Sequence, residues 1–274
     1  MKIACVIPTY NNFKLLKGTL KSIFFQTRML DDVFVIDNAS DDNTSEVKKI
    51  FPEVKYIRLD KNVGSAGAYY EGLKLSKDMV DFVFLSDDDN VFSPDSLANL
   101  EETMLELDKE ENVGAVKCAW DGYKSNAPRK VKSSVWSGML VKTSVINKIG
   151  LPRKEFFIYS DDVEYCYRMR KYGFLIYVAP TAKYFSRYSG HKQQVAFLGK
   201  QFSFYKTPFR IYYAFRNEVY VDLRYNKVKL VKLFLYFLKI FPFLGYSKCM
   251  AAIVGIKDGV LGKLGENKRY IVER

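Results

Sequence analysis

The first half of the chain alternates short apolar runs with segments in which apolar residues recur at helical spacing. The apolar runs cover residues 2–7, 33–36, 54–59 and 82–85, and the helical patterns cover 13–25, 44–51, 66–75 and about 93–109. Strand–helix alternation of this kind predicts right-handed crossovers and a mostly parallel sheet with helices on both faces. We therefore expect an α/β fold in the first half.

The second half predicts further strands and then helices. Residues 135–188 add strands and a helix over 161–172, which stops at Gly173 as a C-terminal cap would. The apolar stretch 233–246 contains Lys239 and Pro242 and is shorter than the roughly 20 residues of a membrane-spanning helix. Lys229, Lys232, Tyr236 and Lys239 fall on one helical stripe. This pattern fits a helix on an anionic membrane surface, or a basic helix packed on the domain or on a second subunit.

Composition and charge narrow the classes of protein. The 274 residues are 48% hydrophobic and 27% charged, which is typical of a globular chain. The net charge of +12 indicates an anionic partner. Of this charge, +8 lies in residues 224–274, which contain eleven basic and three acidic residues. Four widely spaced cysteines favour reduced thiols over a disulfide framework or zinc site. The apolar run 3–7 is shorter than a signal-peptide core, so we expect a cytoplasmic chain.

Polar residues follow the end of each predicted strand. Ligands on parallel sheets bind beyond the carboxyl ends of the strands, so these loops should converge on one rim. The residues concerned are Pro8, Thr9, Tyr10 and Asn11, then Asp37 and Asn38, then Asn62 and Gly64, and finally Asp87, Asp88 and Asp89.

The aspartate triplet 87–89 is the strongest chemical signal. Three adjacent carboxylates repel one another unless a cation compensates, and a hard divalent ion that bridges carboxylates to substrate phosphates would do so. A solvated acidic turn is the alternative. Gly64 and Gly67 precede or open a helix, where they could allow a close approach of phosphate or could simply form a turn.

A second acidic group opens the helix over 161–172. Asp161, Asp162 and Glu164 could cap the helix, or one of them could act as a general base toward a hydroxyl. Asp162 is the candidate base, with a pKa that the helix dipole should lower. Glu164 should contact an acceptor or pair with Arg168 at i+4. His191, the single histidine of the chain, is a candidate metal ligand beside carboxylates.

Taken together in order and spacing, these motifs resemble glycosyltransferase family 2, the inverting enzymes of the GT-A (Rossmann-like) fold. The segments that carry the resemblance are 7–11, 35–40, 62–67 and the triplet 87–89. Residues 136–138, the acidic group at 161–164 and His191 resemble the galactofuranosyltransferase and rhamnosyltransferase branch. The resemblance implies a catalytic domain over 1–200, with a nucleotide-sugar half to about 115 and an acceptor half from 116, followed by a basic, aromatic, helical region over 201–274.

The resemblance also implies a role for each matching residue. Asp37 would bind the base and Asp88 the ribose or sugar, while Asp87, Asp89 and His191 would hold Mn²⁺ or Mg²⁺. Asp162 would be the catalytic base. The other nucleotide-sugar contacts would be Pro8, Thr9, Tyr10, Asn11, Asn38, Asn62, Gly64, Gly67 and Asp87, and the acceptor contacts would be Trp136, Asp161 and Glu164.

The function implied is transfer of a sugar, with galactofuranose or rhamnose favoured, from a UDP- or dTDP-linked donor to a glycan or lipid-linked glycan in cell-surface polysaccharide synthesis. Such an enzyme would be peripheral at the inner face of the cell membrane, would bind no nucleic acid and could form a homo-oligomer. One alternative is a nucleotidyltransferase acting on sugar phosphates, which usually has a basic residue in its first glycine-rich loop. The other is a non-enzymatic basic protein that binds lipid or nucleic acid, which needs no carboxylate cluster.

Overall fold

The computed structural model describes residues 1–187, 192–197 and 200–270. Its strands are β1 (Ile3–Thr9), β2 (Asp32–Asp37), β3 (Val54–Arg58), β4 (Phe82–Leu85), β5 (Asn90–Phe92), β6 (Val113–Ala119), β7 (Arg129–Lys130), β8 (Met139–Lys142), β9 (Leu175–Ser186), β10 (Lys192–Phe197) and β11 (Lys200–Tyr205). Its α-helices are α1 (Phe13–Phe24), α2 (Val47–Ile50), α3 (Gly64–Ser76), α4 (Ser96–Leu107), α5 (Thr143–Ile149), α6 (Asp161–Lys171), α7 (Pro208–Tyr225), α8 (Lys227–Ile240) and α9 (Tyr246–Leu261).

The main sheet has nine strands and is mostly parallel, as the alternating pattern predicts. Its order is β3-β2-β1-β4-β8-β6-β9-β5, with β7 paired to β9. Strand β8 lies antiparallel between β4 and β6, and β5 and β7 run antiparallel to β9. The short strands β5 and β7 carry no alternating pattern of their own because they are only edge pairings of the long strand β9.

Two predicted helices differ in the structure. The 44–51 pattern divides into a 3₁₀ turn, Asn43–Glu46, and the short helix α2, which ends before Pro52 because a residue preceding proline disfavours the helical conformation. The helix expected from residue 93 starts at Ser96. The Pro94 carbonyl instead accepts a hydrogen bond from the Thr27 N–H, at 2.9 Å, which ties this turn to the end of α1.

The core fills both faces of the sheet. Apolar side chains of β1 alternate between the two faces: Ile3, Cys5 and Ile7 pack with α1 and α4, whereas Ala4 and Val6 pack with α3, α5 and α6. Strands buried on both sides read as nearly continuous apolar runs, which is why β1 and β4 are evident from the sequence.

The C-terminal helices form a separate apolar cluster, which Phe157 of the preceding part of the chain also joins. Helices α7 and α9 come unusually close because Gly259 faces the Arg216 carbonyl, where an added Cβ would lie only 2.4 Å from the oxygen. Leu233, Phe237 and Ile240 anchor α8 to this cluster. Across residues 1–187, 192–197 and 200–270, no helix combines the length and the apolar character needed to cross a membrane.

Candidate active site

A cavity of about 720 Å³ lies at the rim where β1 and β4 end, which confirms that the strand-end loops converge. It is also bordered by the first turn of α6 and by the start of α7. Thirteen residues expected from the sequence line it: Pro8, Thr9, Tyr10, Asn11, Asn38, Asn62, Gly64, Asp87, Asp88, Asp89, Trp136, Asp161 and Asp162.

Asp37, the residue expected to contact a base, is not among the residues that line this cavity. Its side chain has no exposed surface and accepts hydrogen bonds from Ser40, Tyr56 and Arg58, the last at 2.9 Å. Because the carboxylate is already enclosed by these donors, Asp37 supports the turn after β2, which also carries Asn38.

Gly67 and Glu164 are also displaced from the roles expected for them. Gly67 lies inside α3 and faces the Val63 side chain, where a Cβ would lie 2.6 Å from a methyl group. Glu164 is buried and accepts from the Arg168 Nη2 at 3.0 Å, the i+4 pairing that was the second interpretation of this residue. Tyr225 also donates to Glu164, at 3.1 Å. Glu164 therefore ties α6 to α7 and does not border the cavity.

The carboxylates of the aspartate triplet point in different directions. Asp87 accepts hydrogen bonds from Tyr69, at 2.8 Å, and from Ser137. Asp89 accepts from Ser186 at 3.0 Å. Asp87 is thereby tied to α3 and the segment before β8, and Asp89 to the end of β9, so three distant parts of the chain meet here.

Asp88 is turned toward α1. Its two carboxylate oxygens accept from Thr9 at 2.7 Å and from the Asn12 amide at 2.9 Å, and its backbone carbonyl accepts from Thr19 at 2.8 Å. Burial raises the pKa of Asp88 to about 7 despite these donors, and the neighbouring charges of Asp87 and Asp89 act in the same direction.

The chemistry of this donor set fits a divalent cation. Asp87 and Asp89 present carboxylate oxygens, which hard cations such as Mg²⁺ and Mn²⁺ prefer, and both border the cavity. Within the described part of the chain, no three side chains of His, Cys, Asp or Glu are grouped closely enough to hold a metal ion by themselves. His191, the third ligand expected from the sequence, lies outside the described residues.

Asp161 and Asp162 enter the cavity from the first turn of α6. The Trp136 indole N–H donates to Asp161 at 2.7 Å, so Trp136 orients a carboxylate as well as lining the cavity. Asp162 accepts from the Val163 N–H at 2.6 Å. The expected lowering of the Asp162 pKa is wrong. Burial, and next the charge of Asp161, raises the pKa of Asp162 to about 8, because loss of solvent outweighs the helix terminus.

The loop before α6 is strained and firmly held. Phe157, Tyr159 and Ser160 all have positive φ angles, of 66°, 71° and 61°, which non-glycine residues seldom adopt. The side-chain amide of Asn217 on α7 donates to the carbonyls of residues 156, 158 and 159, at 2.7 to 3.0 Å. Gly64, with φ of 75°, leaves room for the Phe157 carbonyl, which accepts from the N–H of residue 66 at 3.1 Å. These contacts position the acidic pair.

Lys117 is a functional candidate that sequence reasoning missed. It is 2% exposed within the otherwise apolar strand β6, and its ammonium donates to the Ser137 carbonyl at 3.0 Å. Burial lowers its pKa to about 8, while the charges of Asp162 and Asp87 oppose that shift. The signal that could have identified it is a single charged residue in an otherwise apolar strand. Arg210 and Tyr205, which also line the cavity, gave no such signal.

Comparison with known proteins supports the resemblance. The profile of Glycosyl transferase family 2 matches residues 4–174. The uncharacterized glycosyltransferase YwdF of Bacillus subtilis is 36% identical over 34% of this chain and 35% of its own length. The poly(ribitol-phosphate) β-N-acetylglucosaminyltransferase TarP of Staphylococcus aureus is 29% identical, over 53% of this chain and 45% of TarP. The galactofuranosyltransferase GlfT1 of Mycolicibacterium smegmatis is 23% identical, over 66% and 70%.

Solved structures show the same fold at low identity. S. aureus TarS 1–349 in complex with UDP-GlcNAc superposes with a TM-score of 0.62 and 16% identity, over 95% of this chain and 81% of TarS. GalNAc-T7 with UDP, GalNAc and Mn²⁺ gives 0.63 and 15%, over 81% and 47%. The chain spans about a third of YwdF and less than half of TarP. With its GT-A fold and a family profile that matches most of its length, the chain belongs to glycosyltransferase family 2.

Proposed function

We propose that this protein transfers a sugar from a nucleotide-sugar to an acceptor hydroxyl with inversion at the anomeric carbon. The single observation that carries the proposal is the convergence of Asp87, Asp89 and Asp162 on one cavity, although they come from the turn between β4 and β5 and from α6. Two carboxylates that could bind a metal ion with its diphosphate and one that could accept a proton therefore border the same cavity.

The chemistry follows from these positions. Asp87 and Asp89 would hold a Mn²⁺ or Mg²⁺ ion, whose contribution is to neutralise the negative charge of a diphosphate leaving group. Asp162 accepts the proton of the acceptor hydroxyl as its oxygen attacks the anomeric carbon from the opposite face. The new glycosidic bond forms as the bond to the diphosphate breaks, and no covalent sugar–enzyme intermediate arises.

A UDP-linked donor has the best support. TarS and GalNAc-T7 bind UDP or UDP-GlcNAc in their solved structures, and GlfT1 is named a galactofuranosyltransferase. Galactofuranose therefore stays a candidate sugar beside N-acetylglucosamine. None of the relatives named above is a rhamnosyltransferase, so the dTDP-rhamnose donor rests on the sequence motifs alone. We propose a glycan or lipid-linked glycan as the acceptor.

The nucleotidyltransferase alternative has less support from this cavity. Among the described residues that line it, the basic one is Arg210 on α7, and the glycine-rich segment at residues 62–67 supplies none. A purely structural lipid- or nucleic-acid-binding role leaves the cost of burying Asp161 and Asp162 beside each other unexplained.

Nucleotide binding can be tested by thermal unfolding. UDP, dTDP, GDP and CDP are compared with and without Mn²⁺, because a ligand at 100 times its dissociation constant adds about 2.7 kcal/mol to stability. We expect UDP with Mn²⁺ to raise the unfolding midpoint most. Asp87→Asn and Asp89→Asn should abolish the Mn²⁺ dependence, whereas Asp121→Asn at an exposed position should retain it. The absence of a shift with any nucleotide would contradict the proposal.

We also propose that α8 places the enzyme on an anionic membrane surface. On the stripe of α8 noted in the sequence, Lys229, Lys232 and Lys239 are exposed, and Lys229, Lys232 and the half-buried Tyr236 also line a second cavity. Beside these lysines α8 exposes an apolar strip, with Val228, Val231 and Phe234 each more than half exposed. An apolar face in a region of charge +8 suits the boundary between anionic head groups and acyl chains.

A further inference from the structure

A second cavity, of about 520 Å³, adjoins the active-site cavity. Tyr159 and Tyr205 line both, and their rings stack with centroids 4.7 Å apart. Ser160 borders the second cavity, and the next two residues, Asp161 and Asp162, border the first. A molecule that extends from one cavity into the other therefore passes beside the proposed catalytic base.

The second cavity carries an excess of positive charge. Lys192, Lys229 and Lys232 line it, and Glu218 is the acidic residue among its described lining, so three positive charges face one negative charge. Lys192 extends from β10 with its ammonium 5.1 Å above the Tyr205 ring, while the other two lysines lie one turn apart on α8. Basic side chains from separate elements thus surround one space.

The remaining lining divides into apolar and hydrogen-bonding parts. Phe204, Ile211, Phe215 and Leu233 form the apolar part, and Ser203 and Tyr236 supply hydroxyl groups. Lysine ammonium groups bind phosphate oxygens as point charges. A phosphate ester that also carries carbon chain or polyol fits this combination better than an uncharged sugar does.

We propose that this second cavity is an acceptor subsite, in which Lys192, Lys229 and Lys232 bind a phosphate ester carried by the acceptor. The inference rests on the proposed function, because it takes the adjoining cavity as the donor site. With its phosphate held by the lysines, the acceptor extends past Tyr159 and presents a hydroxyl to Asp162. Selection for phosphate-bearing acceptors then depends on α8 and β10, outside the residues matched by the family profile.

The test measures binding of sn-glycerol 3-phosphate to the full chain by ligand-observed NMR, with UDP and diamagnetic Mg²⁺ at saturation so that the donor site is filled. Glycerol serves as the uncharged match. We expect glycerol 3-phosphate to bind and glycerol not to. Lys232→Ala and Lys229→Ala should each weaken binding about tenfold, as loss of one charge-assisted contact does. Lys239→Ala, an equal charge loss at an exposed position on the same helix, should leave it unchanged.

Two results would overturn the proposal. One is equal binding of glycerol and glycerol 3-phosphate, and the other is binding that neither Lys232→Ala nor Lys229→Ala weakens. Lys229 also lies 5.7 Å from the Tyr167 ring, so its variant is checked for an unchanged unfolding midpoint, and Lys232→Ala decides the matter alone if that check fails.

Hexyl phosphate identifies the source of the phosphate. Tighter binding than glycerol 3-phosphate would assign the site to a lipid-linked acceptor, and weaker binding to a polyol phosphate. Failure of this proposal is distinguishable from failure of the proposed function. UDP binding without phosphate binding removes only the subsite, whereas absence of UDP binding removes the glycosyltransferase proposal.

Discussion

At the scale of single residues, the acidic pair of α6 shows how burial changes a carboxylate. Trp136 donates to Asp161, so the indole stabilises negative charge there, while Asp162 accepts from the neighbouring Val163 N–H. Asp161 thus acts as a fixed negative neighbour, and Asp162 is the member of the pair better able to take up a proton.

Replacement of the base should separate binding from turnover. Asp162→Asn keeps the size of the side chain but cannot accept the proton, so we expect kcat to fall roughly 10²- to 10⁴-fold. The dissociation constant of UDP should change little, because Asp162 faces the acceptor hydroxyl in this mechanism. Initial transfer rates and UDP titrations check both statements, with Asp121→Asn as the exposed control. Transfer near the wild-type rate would remove Asp162 from the mechanism.

The pH dependence should reflect the raised pKa values of the pair. A general base works when it is deprotonated, so transfer is lost as the pH falls through the pKa. Burial raises the pKa of Asp161 to about 6 and that of Asp162 to about 8. We therefore expect the acidic limb of kcat/KM between pH 6 and 8. A limb near pH 4, where an ordinary aspartate titrates, would contradict this assignment.

Lys117 should shift that limb. Its positive charge opposes the rise in the Asp162 pKa, and Asp161 and Asp87 favour the rise. Lys117→Met removes the positive charge while it keeps an unbranched buried side chain, so the acidic limb should move to higher pH. If the acidic limb of the kcat/KM profile stays at the wild-type pH and only the rate falls, Lys117 has a structural role. Lys130→Met, at an exposed strand position, is the control.

At the scale of elements, α7 holds the loop that precedes α6. Hydrogen bonds from the Asn217 amide to three carbonyls of this loop explain how positive φ angles persist at Phe157, Tyr159 and Ser160. Arg216, fully buried beside Asn217, donates to the same loop through the Phe156 carbonyl at 2.7 Å. The C-terminal helices therefore complete the active site from outside the region that carries the family motifs.

Loss of this amide should loosen the loop. Asn217→Ala leaves buried carbonyls without a donor and should lower the free energy of unfolding by about 1–3 kcal/mol, measured by urea denaturation. Because the loop leads into Asp161 and Asp162, kcat should fall more than UDP affinity does. Asn147→Ala, at an exposed helix position, is the control. Unchanged stability together with unchanged kcat would show that the loop holds its conformation without α7.

At the scale of the whole molecule, charge and apolar exposure coincide on the C-terminal helices. Leu238 and Phe241 are about half exposed and continue the apolar face of α8, and Tyr246 at the start of α9 is 83% exposed. The exposed apolar residues of the first 187 residues include Phe25 and Met29, at 74% and 77% exposure, which lie apart from this basic region. The proposed membrane contact therefore involves the same helix, α8, whose Lys229 and Lys232 line the second cavity.

Vesicle flotation tests this contact. We expect the protein to float with vesicles containing about one-third phosphatidylglycerol and to float less with neutral vesicles or at high salt, because screening weakens attraction to anionic lipid. Phe234→Ser combined with Leu238→Ser should reduce the bound fraction about tenfold or more, given about 1.5–3 kcal/mol for each large apolar side chain that is buried. Phe25→Ser, at an exposed position in the catalytic half, is the control. If the wild type does not float but self-associates, and the double variant loses that self-association, the apolar side of α8 would instead be an interface with a second copy of this chain.

The sequence alone was sufficient to predict the GT-A sheet and the edge of the sheet at which the strand-end loops meet. Strands buried on both faces need continuous apolar runs, and parallel strands place their following loops at one edge, so residues 8–11 and 87–89 could be brought together without coordinates. The same reasoning could not locate Asp37 or Glu164. A carboxylate at a strand end or helix start has the same sequence signature whether it faces a ligand or a buried arginine.

Tertiary structure decided the direction of each side chain and its solvent exposure. Burial raised the pKa of Asp162 where the helix terminus alone predicts a lower one, and packing of α8 on α7 placed Lys229 and Lys232 at the edge of a cavity and left Val228, Val231 and Phe234 exposed beside them. Both outcomes depend on residues distant in sequence, because desolvation and helix rotation are set by what packs against a group. The local sequence pattern depends only on neighbours along the chain, so it could predict neither the desolvation of Asp162 nor the rotation of α8.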